Sequence, residues 1–234
     1  PAAMAPYLAA TRHMAATDFK TARTEILDAI KAEPGWFAPH LAQAQILAEL
    51  GDGVGARAAI DRALALGVKP IDVRHLQAHV LLLRGVPDRA VAEAGAVGMP
   101  AQFRPCAVGV EARAFLALGN LGASAQEYQT LVAATPKDSL AWSDFARLRV
   151  YAGDLSGAIQ ACRTAVELNP RNHDALTLMA ELVRGQFGLV ASIPWYERAL
   201  EVEPGNTVTM LELAATYGDA GRARDMLSMT RRVL

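Results

Sequence analysis

Cysteine is scarce in this chain, aromatic residues are few, and neither sign of charge dominates. Cys106 and Cys162 are the only cysteines in 234 residues, too few to imply a disulfide framework. Lysine and arginine total 23 against 24 acidic residues, a formal net charge of -1 with no basic tract. The chain therefore lacks the electrostatic footprint of a nucleic-acid binder, and nucleic acid is not an expected partner. Long apolar runs are missing too. The longest stretch without a formal charge, Pro34 to Ala48, contains proline, glycine, glutamine and histidine, and falls short of the roughly 18 apolar residues a membrane span needs. The opening PAAMAPYLAATR has no basic segment followed by an apolar run, so it does not read as a signal peptide. The chain also begins without an initiator methionine, which is consistent with removal of an upstream segment. A soluble protein is expected, cytoplasmic, or periplasmic if an upstream signal was removed; the redox compartment stays open.

The motifs of common catalysis are missing as well. There is no Gly-x-Ser-x-Gly, phosphate-binding loop, dinucleotide fingerprint or paired Cys-x-x-Cys. GDGVGARAA, beginning at Gly51, superficially suggests a nucleotide loop, but no strand precedes it. His75 and His79 stand four apart, with Asp72 three residues before His75, a spacing that can hold a metal on one helix face. HLQAH lacks the glutamate that follows the first histidine in zinc hydrolases, and Arg113, 34 residues after His79, is an unfriendly neighbour for a cation. The two histidines are read as polar groove residues. No metal, no cofactor and no enzymatic activity is expected.

What is present is a hydrophobic fraction of 52%, much of it alanine, which suits closely packed helices. Residues 139–172 show the pattern most clearly. Trp142, Phe145 and Val150 fall at helical spacing before a turn at Gly153-Asp154. Leu155, Ile159, Cys162, Val166 and Leu168 do so after it, and Asn169-Pro170 ends the second helix, since proline lacks the amide donor and restricts the residue before it. Cys162 faces the core from this second helix, and a buried thiol is expected; Cys106 opens a first helix.

Stepping by 34 residues finds the same slots throughout. From Ala146 the series is Ala10, Ala44, Ala78, Ala112, Ala146, Ala180 and Ala214; from Gly153 it is Thr17, Gly51, Gly85, Gly119, Gly153, Phe187 and Gly221. A third runs Ala22, Ala56, Ala90, Ser124, Ala158, Ser192 and Met226, and the terminating series is Pro34, Val68, Gln102, Pro136, Pro170 and Pro204. An alanine-rich composition makes single alanine matches cheap; the glycine and proline series have no such explanation. With Trp142, Ala146, Gly153, Ala158, Ala165 and Pro170 at this spacing, the chain resembles the tetratricopeptide repeat (TPR) family.

The expected fold is all-α: about seven antiparallel helix-turn-helix repeats of 34 residues, at 3–36, 37–70, 71–104, 105–138, 139–172, 173–206 and a truncated 207–234, in one array over 1–234. Repeat three is the weakest. Its second helix reads AVAEAGAVGMP, and Gly95, Gly98 and Pro100 predict a short helix or a bend. In repeat six Phe187 replaces the turn glycine and Pro194 lies within the second helix; a late start near Ser192, with Pro194 in the first turn, is expected. No polar capping helix follows repeat seven, so a continuing native chain, or self-association through the unfinished C-terminal edge at Leu227, Val233 and Leu234, is expected.

The resemblance implies a right-handed superhelix whose first helices form a concave wall where a partner polypeptide lies. One inward series would be Thr11, Gln45, His79, Arg113, Arg147, Glu181 and Ala215, and a neighbouring one Tyr7, Leu41, His75, Gly109, Ser143, Thr177 and Leu211. The candidate groove residues are Gln45, His75, His79, Arg113, Asp144, Arg147 and Tyr151, with Leu82, Leu116 and Val150 beside them. The lysine-asparagine carboxylate clamp of some TPR domains has no counterpart here. Arg113 and Arg147 favour a partner segment with acidic residues flanked by apolar ones, Asp144 being a competitor for Arg147. The expected function is a non-enzymatic protein–protein interaction scaffold. Two rivals remain: the regulatory or substrate-presenting part of a longer enzyme, and an exported bacterial TPR protein serving polysaccharide assembly or secretion.

Overall fold

Short polar side chains mark where the helices begin. Asp18, Asp52, Asn120 and Asp154 each accept a hydrogen bond from the backbone N–H three residues on, and Asp138, Asn172 and Asn206 do the same. Each satisfies an amide that the helix itself leaves unpaired, an interaction typically contributing about 1 kcal/mol. The computed structural model describes residues 2–233. These form fourteen α-helices: α1 (Met4–Ala15), α2 (Phe19–Ala32), α3 (Phe37–Glu49), α4 (Gly53–Ala65), α5 (Pro70–Leu83), α6 (Pro87–Ala94), α7 (Arg104–Ala117), α8 (Leu121–Ala134), α9 (Ser139–Tyr151), α10 (Leu155–Leu168), α11 (His173–Phe187), α12 (Leu189–Val202), α13 (Thr207–Asp219) and α14 (Ala223–Val233). A 3₁₀ turn, Ala101–Phe103, precedes α7, and no strand occurs among the described residues.

The turn inside each hairpin needs a left-handed residue. Gly51, Gly85, Gly119, Gly153 and Gly221 supply it with φ of 79°, 71°, 74°, 78° and 74°, a region open to glycine because it has no Cβ. Thr17 fills the same slot at φ 62°. In the sixth hairpin Phe187 stays helical and the turn passes to Gly188, at φ 91°.

Packing divides the chain into two compact units, Pro1–Pro136 and Lys137–Leu234. In the first, α1 packs on α2, α3 on α4, α5 on α6 and α7 on α8; α1, α3, α5 and α7 also touch in succession, forming one layer. In the second, α9 pairs with α10, α11 with α12 and α13 with α14, and α9 touches α11. The alanine series is the contact point of every hairpin. Ala10, Ala44, Ala78, Ala112, Ala146 and Ala180 are fully buried and Ala214 nearly so, which lets the two helix backbones approach. Around them pack Ile26 and Ile46, then Ile60 and Val73, in the first unit; Leu178 and Met179, then Tyr196 and Leu213, fill the second.

The third hairpin is short, as its glycines predict. α6 ends at Ala94, and Val97 is 96% exposed although its slot is buried as Ala29, Ala63, Leu131, Ala165 and Ala199. The guanidinium of Arg104 closes the broken end, donating to the Ala94 carbonyl at 3.1 Å and lying 3.6 Å from the Glu111 carboxylate. Burial pushes the Glu111 carboxyl above its ordinary value, with Arg104 opposing.

The sixth hairpin corrects the sequence expectation. α12 starts at Leu189, not near Ser192, and Pro194 lies in its interior. The helix begins at the register of α8 (Leu121) and α10 (Leu155) because Gly188 provides the turn one residue late. Ser192 is buried and its hydroxyl donates to the Leu189 carbonyl at 2.7 Å. Pro194 removes the amide that would pair with the Val190 carbonyl; both residues are exposed, which leaves that carbonyl open to water.

Candidate functional site

The candidate residues sit on first helices, and each unit presents its own set. In the first unit Gln45 is partly buried on α3, while His75 and His79 on α5 are only 7% and 6% exposed. Arg113 is partly buried on α7, its Nε donating to the Gly109 carbonyl at 3.3 Å. The imidazole of His75 stacks on Phe103, ring centroids 4.5 Å apart and planes inclined by 10°. Its Nδ1 is buried without a hydrogen-bond partner. Burial lowers the His75 pKa to about 4, with Asp72 opposing. Burial also lowers His79, to about 3, and the Arg113 and His75 charges push the same way. Both rings are neutral at pH 7.

A residue outside the sequence-derived set organises this face. Glu49, one turn beyond Gln45 on α3, places one carboxylate oxygen 3.9 Å from His79 Nδ1 and the other 3.8 Å from Arg113 Nη1. Because His79 is neutral, the charge contact is Glu49 with Arg113, made from α3 to α7 across α5. Arg113 is therefore engaged by a carboxylate of its own chain. Glu49 lies four residues after Gln45, so helical periodicity puts both on one face; that was the available signal. Phe103 gave none, since it precedes α7 in an irregular segment.

In the second unit Asp144, Arg147 and Tyr151 lie on one face of α9, at helical spacings of three and four. Asp144 is partly buried, Arg147 exposed, and Tyr151 is 64% exposed. Arg147 makes no hydrogen bond or ion pair among the described residues. It stands near α11, where its charge helps to lower the Asp174 carboxyl, after the hydrogen bond from His173. Arg184, also on α11, is by contrast committed: its Nη1 lies 3.0 Å from Glu212 Oε2 and 3.4 Å from the Thr216 hydroxyl of α13. Cys162 is fully buried, and burial pushes its thiol up to about 12, so it is inert as a nucleophile. Cys106 is exposed on α7. Among the described residues no three His, Cys, Asp or Glu side chains are grouped to hold a metal.

The geometry is that of helical hairpins repeating at 34 residues, with a left-handed turn and a buried alanine in each. A family model for the tetratricopeptide repeat matches residues 7–67 and 143–207, together more than half of the chain. The chain belongs to the tetratricopeptide-repeat family. No curated protein matches it. Solved structures share its fold at low identity. PilW, described as a widely conserved type IV pilus biogenesis factor, is 19% identical at a TM-score of 0.55, over 86% of this chain and 94% of PilW. MamA is 14% identical at 0.56, over 67% of this chain and 91% of MamA. A chain of the APC/C hetero-tetramer Cut9–Hcn1 gives 0.78 at 13% identity, over 96% of this TPR chain and 45% of its own length. Among the described residues, no helix is long and apolar enough to cross a membrane.

Proposed function

We propose that this TPR protein is a non-enzymatic scaffold that binds a polypeptide segment on its first helices, with the specific contact on α9 of the second unit. The observation that carries this reading is the pairing of an exposed Arg147, which makes no hydrogen bond or ion pair among the described residues, with the exposed Tyr151 ring one turn away. A guanidinium recognises a carboxylate through paired, charge-assisted hydrogen bonds, and a tyrosine beside it offers apolar area with little ordering cost. Arg113, in the first unit, is held by Glu49 and is not part of this contact. The preferred partner is thus a segment with one or two acidic residues flanked by apolar ones. The Cut9–Hcn1 hetero-tetramer is a precedent for this fold in a protein assembly. Selection of a displayed random-peptide library against the wild-type chain and against the Arg147→Ala, Tyr151→Ala double variant tests the proposal. Wild type is expected to enrich acidic–apolar sequences and the variant to lose them; identical enrichment by both would move the site off α9.

A further inference from the structure

The first unit has a second polar feature that the first-helix layer does not use. A concavity of about 210 Å³ lies between α4, α5 and α6, lined by Arg57, Gln77, Val80, Arg84, Arg89 and Glu93 among others. Gln77 and Arg84 fall on the side of α5 opposite His75, since a helix turns 100° per residue. The chain fold brings the three arginines together for local reasons. Arg84 ends α5 just before the left-handed turn at Gly85, and Arg89 is in the first turn of α6. Arg57 comes from α4 of the preceding hairpin.

Their commitments differ. Arg57 donates to Asp61 on its own helix at 3.1 Å. Arg84 and Arg89 make no hydrogen bond or ion pair among the described residues. Glu93 is the only acid in the lining, and Arg74 already holds it by two hydrogen bonds, at 2.8 and 3.1 Å. With Arg57 held by Asp61 and Glu93 by Arg74, Arg84 and Arg89 leave the concavity with an excess of two positive charges, in a chain whose net charge is -1. Such a concentration focuses a positive potential on one small volume.

Size and charge narrow the ligand. The volume is below the roughly 300 Å³ at which pockets for whole small molecules begin, so a nucleotide is too large and a single headgroup fits. A phosphoryl monoester carries about -1.5 to -2 charges at pH 7 and three acceptor oxygens, which matches the excess charge and the two uncommitted guanidiniums of Arg84 and Arg89. A carboxylate supplies half of that charge. Val80, buried in the floor, offers apolar contact to a short carbon stem. We infer that this concavity between α4, α5 and α6 binds a phosphoryl group carried on a side chain, that is, a phosphoserine or phosphothreonine of a protein partner. The site is independent of the α9 face, and either can fail without the other.

The probes are N-acetyl-phosphoserine amide, inorganic phosphate and N-acetyl-glutamate amide, each titrated at pH 7.5 and constant ionic strength into the ¹⁵N-labelled chain and followed by amide shifts. The phosphoserine probe should perturb the amides of Arg84, Gly85 and Arg89 and bind at least tenfold more tightly than the glutamate probe. The Arg84→Gln, Arg89→Gln variant should lose at least tenfold in that affinity while keeping its other amide positions, since both side chains are exposed. Shifts elsewhere only, or equal affinity in the variant, would overturn the site. Equal affinity for inorganic phosphate and for the phosphoserine probe would overturn the assignment to a side-chain ligand.

Discussion

Thr17 occupies a position that glycine holds in five other hairpins, and it does so at φ 62°. The left-handed conformation costs an L-residue with a Cβ about 1–2 kcal/mol, partly offset because glycine loses more freedom on folding. Thr17→Gly is therefore expected to raise the unfolding free energy by about 0.5–1 kcal/mol in urea titrations; a decrease would mean that the threonine side chain contributes more than the strain removes. His79 gives a second residue-level expectation. Its folded pKa of about 3 lies below the ordinary histidine value of 6.5, so between those limits the unfolded chain binds more protons and stability falls as pH falls. Above pH 7 the ring is neutral in both states and contributes no slope. His79→Leu should shrink the stability lost between pH 7 and pH 4 by at least about 1 kcal/mol, each tenfold in the acid constant being about 1.4 kcal/mol. An unchanged slope would show that burial, with the Arg113 charge beside it, does not hold the ring neutral. The sequence placed His79 on the first-helix layer, but not its neutrality. That depends on how deeply α5 sits between α3 and α7, which repeat spacing alone does not encode.

Hairpin packing is the element-scale statement that periodicity made well. All seven slots of the Ala146 series are buried, because two helices can close on each other only where neither carries bulk. Ala146→Leu should cost about 1–3 kcal/mol by overpacking, whereas Gln160→Leu, on the exposed side of α10, should change the melting temperature little. Equal effects would mean that the two helices do not meet at Ala146. The third hairpin is the opposite case. With α6 ending at Ala94, amides of residues 92–97 should exchange with solvent much faster than those of residues 159–166 in α10; equal protection would contradict the broken helix. Gly95, Gly98 and Pro100 made this break legible. The course of α12 was not, because a proline inside a helix pattern reads as a boundary. The late glycine at 188, the Ser192 hydroxyl and the solvated Val190 carbonyl together overcome it.

For the whole molecule, a 34-residue period carried most of the fold in plain sight, since turn chemistry and hairpin contacts recur with it. Its candidate site was legible only in part. Arg147 and Tyr151 came from the repeat register, but the pairing of Arg113 with Glu49 depends on side chains from alternate hairpins meeting over a third, a relation at longer range than the repeat. The result shifts the weight of the proposed recognition to α9. Because the contact is a charge at a solvated surface, binding should weaken as salt rises, with a screening length of about 8 Å at physiological ionic strength. The most direct test is calorimetric titration of an acidic–apolar peptide, taken from the library selection, into the wild-type chain and the Arg147→Ala, Tyr151→Ala variant at matched low salt. A charge-assisted bond contributes about 1.5–3 kcal/mol, so the variant is predicted to bind at least about tenfold more weakly. Equal affinity in the two proteins would contradict the account.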